Sequence, residues 1–182
     1  MGESTTFTDA DRAVVLLIDA HPDVLHSLTH LLRLEPFDVH SATCAADALA
    51  ILASQPVDLV MSAARLPDMD GASLLAHVHQ HYPHTVRILL TSETDLTLII
   101  KAINEGEIYR YLSKPWNDEE LLLALRQSLA HQHSELERLR LEQLIQQQND
   151  ELKQLNATLE KRVASRTSEL QQTADMLDLA YE

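Results

Sequence analysis

Short apolar runs alternate with stretches of helical periodicity through the first part of the chain, and beyond Pro115 the helical pattern continues without interruption. Val14–Asp19 (VVLLID) reads as a buried strand, and a helix is predicted from Pro22 to Leu34. Phe37–Ala42 is a second strand, followed by a helix over Ala45–Ser54. Val57–Ser62 (VDLVMS) is a third, and after the LPDMDG loop a helix runs through Leu74, Leu75 and Val78. Val86–Leu90 is a fourth strand, with a helix over Leu96–Asn104, and Ile108–Leu112 is a fifth. Strands alternating with helices predict an α/β fold: a doubly wound, five-stranded parallel sheet covered on both faces.

The second regime differs in its breakers. All three glycines (Gly2, Gly71, Gly106) and all six prolines precede Trp116, and none follows it. Uninterrupted Leu, Glu, Gln, Arg and Ala predict one helix on the order of 100 Å long at 1.5 Å per residue. Leu141, Ile145, Gln148, Leu152, Leu155 and Leu159 step by four and three, which makes a heptad seam. Val163, Arg166, Leu170, Thr173, Leu177 and Ala180 continue it after one further step of four, a stutter. A narrow apolar stripe on so long a helix needs a partner, so a parallel homodimeric coiled coil is expected. The alternative is a solvated helix folded back on its own domain. The expected organisation is a disordered N-terminus (1–12), an α/β domain (13–130) and a coiled-coil helix (131–182) continuous with the domain's last helix.

In a parallel α/β sheet the ligand site lies beyond the carboxyl ends of the strands. The residues to inspect are therefore Asp19–His21, Ala63–Arg65, Thr91–Glu93 and Lys114–Pro115. There the segments LLIDAHPD, DLVMSAARLPDMDG, ILLTSE and YRYLSKPW follow in order and spacing. Together they resemble the receiver domain of two-component response regulators. The resemblance implies the strand order 2-1-3-4-5 and a role for each strand end. Asp19 matches the first member of the family's acidic pair, and Ala20 stands where the second, magnesium-binding member would be. Ala63 occupies the phosphoacceptor position. Thr91 and Lys114 match the residues that contact the phosphoryl group, Tyr111 the aromatic switch, and Lys114–Pro115 the usual cis peptide.

Both alanines bear on the chemistry. Phosphoryl transfer to such a domain needs a carboxylate nucleophile, which a methyl group cannot replace. It also needs a hard cation, and magnesium is held through one or two carboxylates. With only Asp19 left of three carboxylates, phosphorylation by the family route and a magnesium site are not expected, and Asp19 is expected to pair with Lys114. Magnesium is expected only if aspartates stand at 20 and 63. Ser62 should point away from the pocket, Asp58 lies at the far end of its strand, and Asp68 and Asp70 read as residues of a solvated turn. Two origins for the alanines stay open. Loss at both positions favours natural decay, whereas retention of Thr91, Lys114 and Tyr111 favours a replaced, once-functional site.

Composition narrows the function classes. Lys and Arg total 14 against 28 Asp and Glu, a net charge of -14, which disfavours a nucleic-acid partner. One cysteine, Cys44, fits a reducing cytoplasm, and no run is long enough to span a membrane. His77 and His81 share a helix face with His79 and His84 nearby, but no convergent third ligand is evident, so a solvated helix end is the better reading. His131 and His133 fail the same test. Cys44 lacks activating basic neighbours, and Trp116 needs only a packing role.

The segment LNATLEKRVASRTSEL resembles signalling helices that join sensor and output modules. TVRILLT with AINEGEIYRYLSKPWNDEEL resembles receivers joined to HD-GYP phosphodiesterases of cyclic di-GMP, and LDLAYE resembles the stretch before such a domain. The expectation is a non-enzymatic signalling module in a longer protein, with a sensor histidine kinase or other signalling protein as partner. Rival readings are an ordinary phospho-accepting receiver with its aspartates replaced, and a structural adaptor.

Overall fold

The computed structural model describes residues 12–92, 96–105 and 108–180. The expected tail (1–12, apart from Arg12), Glu93, Gly106, Tyr181 and Glu182 lie outside the described residues. By packing, the chain divides into units Met1–Ser134 and Glu135–Glu182.

In the first unit, β1 (Ala13–Ile18), β2 (Phe37–Ala42), β3 (Leu59–Ala63), β4 (Val86–Ser92) and β5 (Arg110–Lys114) alternate with α1 (Pro22–Leu32), α2 (Ala45–Ser54), α3 (Gly71–His81) and α4 (Leu96–Glu105). The sheet is parallel throughout, in the order β2-β1-β3-β4-β5, the expected fold. Alternation along the strands sends side chains to two cores. Leu16, Ile18, Val60 and Leu89 pack with buried residues of α2, α3 and α4. Val15, Leu17, Leu59, Met61, Ile88 and Leu90 pack with Leu25, Leu28 and Leu32 of α1 and with Leu121 and Leu125. The last two belong to α5 (Asp118–Ala180), a single helix of 63 residues.

Strand limits shift at the carboxyl ends. The fifth strand, expected at Ile108–Leu112, is Arg110–Lys114. Ile108 packs instead against the core on the α2–α4 side, and the Tyr109 amide donates to the Arg87 carbonyl, leading into the ladder. The third strand ends one residue later than expected, at Ala63.

Helix starts follow local chemistry. Pro22 opens α1, and Asp70 caps α3, its carboxylate accepting from the Ser73 amide at 2.7 Å. Cys44 gives α2 no side-chain cap. Asp68 supplies it from across the loop, accepting from the Ala45 and Ala46 amides at 2.9 Å each.

Candidate functional site at the strand ends

The register brings the sequence-selected residues to one edge of the sheet. Ala63 pairs with Leu90, Thr91 with Ser113 and Ser92 with Lys114, while Asp19 immediately follows β1. Asp19 is 1% exposed. The Lys114 ammonium donates to one of its carboxylate oxygens. The other accepts from the His21 amide at 2.9 Å and lies 3.0 Å from His21 Nδ1. Burial would push the Asp19 carboxyl up, but the hydrogen bonds from Lys114 and His21 outweigh it and hold the group below the ordinary carboxylate range. It is therefore an anion whose charge Lys114 already neutralises.

Ala63 is 5% exposed, and its surroundings are fixed by backbone. The Ala64 amide donates to the Leu90 carbonyl at 3.2 Å, and the Gly71 amide to the Ala64 carbonyl at 2.8 Å. A Cβ on Gly71 would lie 2.0 Å from the Ala63 carbonyl oxygen, so only glycine lets α3 start this close to the strand end. Ser62 is fully buried and its hydroxyl donates to the Ala63 carbonyl. Thr91 is buried, with its hydroxyl donating to the Ser92 carbonyl at 3.2 Å. Tyr111 is half exposed, and the Lys114–Pro115 peptide is cis.

Other expected candidates lie elsewhere. Asp58 is at the opposite end of the sheet, accepting from the Val14 amide at 2.8 Å. Asp68 and Asp70, read from sequence as solvated turn residues, are structural caps for α2 and α3. His77 and His81 stack on each other with ring centroids 4.1 Å apart. Among the described residues no cluster of three His, Cys, Asp or Glu could hold a metal ion. His21 lies in the strand-end segment the sequence selects, but nothing in the sequence gives it the role of a donor to Asp19. Nor does the sequence reveal the pairs Lys101–Asp70 and Arg126–Glu35, whose members are far apart in the chain. Asp70 carried the one available signal, a capping residue three positions before Ser73.

In the second unit the residues of the expected seam (Leu141, Ile145, Leu152, Leu155, Leu159, Val163, Leu170 and Leu177) are between 47% and 70% exposed. Gln148, Arg166 and Thr173 are exposed as well. No described helix is long and apolar enough to cross a membrane.

A family model described as the response regulator receiver domain matches residues 15–126. The hydrogenase transcriptional regulatory protein HoxA of Cupriavidus necator is 34% identical over 121 residues, 66% of this chain and 25% of that protein. The chain thus spans about a quarter of the length of the curated relatives it matches. Among solved structures, the signal receiver domain of an HD domain-containing protein from Pseudomonas fluorescens Pf-5 is 60% identical. That match has a TM-score of 0.69 and covers 75% of this chain and 98% of the other. A CheY-like receiver domain protein from Methanospirillum hungatei JF-1 is 28% identical, with a TM-score of 0.66, over 69% of this chain and 99% of that one.

Proposed function

The chain belongs to the response regulator receiver domain family, and from that membership we propose that it is a signalling module that no longer takes up phosphate. The observation that carries this reading is the methyl group of Ala63 at the end of β3, on the sheet edge where β1, β4 and β5 also end. Phosphoryl uptake there would need a side-chain oxygen as nucleophile. Nor does the donor set fit the magnesium ion such chemistry uses. Positions 20 and 63 offer no oxygen, and the Asp19 carboxylate is committed to Lys114 and His21. The Asp19–Lys114 ion pair holds β1 and β5 together at the edge where phosphate would otherwise act.

In this reading the arm pairs with a second copy through its exposed seam and couples the receiver to an output domain. The likeness to the receiver of an HD domain-containing protein supports an HD-type output, with an HD-GYP phosphodiesterase of cyclic di-GMP as the specific proposal. Receiver domains interact with kinases and other signalling proteins, and we assign the input here to such a partner, acting by contact.

A second reading is favoured by the intact remainder of the site: Thr91, Lys114 and the cis Lys114–Pro115 peptide. It holds that aspartates at 20 and 63 would make this an ordinary phospho-accepting receiver. Intact-mass measurement after exposure to acetyl phosphate and Mg2+ tests both readings. The Ala20→Asp/Ala63→Asp variant should gain one phosphoryl group and the unaltered chain none. A folded double variant that gains nothing would refute the assignment of Ala63 as the acceptor position.

A further inference from the structure

The helix α4 is attached to the domain differently from its neighbour. In α3 the residues Gly71, Ala72, Leu74, Leu75 and Val78 are buried. Among the described side chains of α4, only Ile99 and Ala102 are buried, with Leu98 partly so. Leu96, Ile100 and Ile103 are more than half exposed. Apolar burial, the main source of docking energy, is therefore small for this helix. A polar cluster accompanies it. Lys101 of α4 donates from Nζ to the Asp70 carboxylate at 2.9 Å and to the Ser73 hydroxyl at 2.8 Å. The Ser73 hydroxyl in turn donates to the same Asp70 oxygen at 3.0 Å, while the other oxygen caps α3. Burial would raise the Asp70 carboxyl, but Lys101 and Ser73 bring it below its ordinary range, so the carboxylate is charged and engaged on both oxygens.

We propose that this Lys101–Asp70–Ser73 clamp supplements the limited apolar packing of α4 and sets how readily the helix undocks as a unit while the sheet stays folded. Asp70 also ends the loop that leads from Ala63, whose turn is closed by the Leu66 amide on the Met69 carbonyl and by the Arg65–Asp70 bridge. The clamp thus ties the position of α4 to the loop at the strand ends through a charge pair that needs no phosphate. It stands whether or not the acceptor reading of Ala63 does.

Amide hydrogen exchange on the full chain tests this, because opening of one helix is read separately from global unfolding. Lys101→Met keeps the aliphatic stem and removes the charge. Asp70→Asn keeps an oxygen to cap α3 and removes its half of the pair. Each should speed exchange of α4 amides roughly fivefold, the size expected of a partly exposed ion pair, with α3 and the strands unchanged. The double variant should be no faster than the singles, since both break one interaction. Unchanged α4 exchange in both variants, additive acceleration in the double, or joint acceleration of α3 and α4 would overturn the proposal.

Discussion

In the sheet domain Leu16, Leu17, Leu28, Leu59 and Leu89 are no more than 2% exposed, whereas in the arm Leu152, Leu155 and Leu170 are 57–70% exposed. The same side chain meets two situations. In the domain, period-two strands and covering helices let a single chain bury what it carries. In the arm, the leucines of a heptad stripe on one helix are exposed. Stability in the first region is a property of the molecule, while in the proposed dimer the second would gain it by association and so depend on concentration. The difference also divides the polar groups. Within the sheet domain Asp19 is neutralised by a partner across the sheet. Arm ion pairs such as Arg138–Glu135 and Lys153–Asp150 join neighbours on one helix face and are solvent-exposed, contributing little.

A large effect is expected where a buried charge loses its partner. Lys114→Met leaves Asp19 with only the His21 contacts, and unfolding in urea should show a loss of about 3 kcal/mol, with self-association unchanged. A loss below about 0.5 kcal/mol would mean that the site is open enough for water to replace the lysine.

Next comes one substitution made in both regions. Leu28→Ala should destabilise the domain by about 2–5 kcal/mol and leave the dimer constant alone. Leu155→Ala should weaken association about tenfold or more, while the domain's urea midpoint stays fixed. Equal effects of both substitutions on the urea midpoint would show that the arm's leucines are covered by the chain's own domain.

The smallest effect concerns pH. The Asp19 carboxyl is lowered in the folded protein, so its contribution is present above the unfolded value of about 4 and lost as pH falls through the folded one. Glu35 and Asp70 are lowered too and act with the same sign. Urea midpoints should fall on acidification below about pH 4, with a shallower fall in Asp19→Asn. Identical slopes would remove Asp19 from the acid response.

How much of this the sequence made legible depends on the range of the interaction. The inner strands β1, β3 and β4 announce themselves as apolar runs because both faces of the sheet are covered there. The fifth is an edge strand with alternating exposure, so its pattern is weak and its limits were read two residues early. The strand-end residues Asp19, Ala63, Thr91 and Lys114 were legible because a parallel sheet places successive carboxyl ends together. The capping of α2 by Asp68 and the Lys101–Asp70 clamp were not. Their members are 22 or more residues apart, and nothing in local composition marks which carboxylate meets which donor. The seam of the arm was visible as spacing alone, and spacing does not name the partner.

If this receiver works as a phosphate-independent dimer, the most direct measurement is the dimer dissociation constant of the unaltered chain, obtained by sedimentation equilibrium with and without acetyl phosphate and Mg2+. We expect a dimer whose constant is the same in both conditions. A monomer at every concentration, or a constant that shifts when the phosphodonor is present, would contradict it.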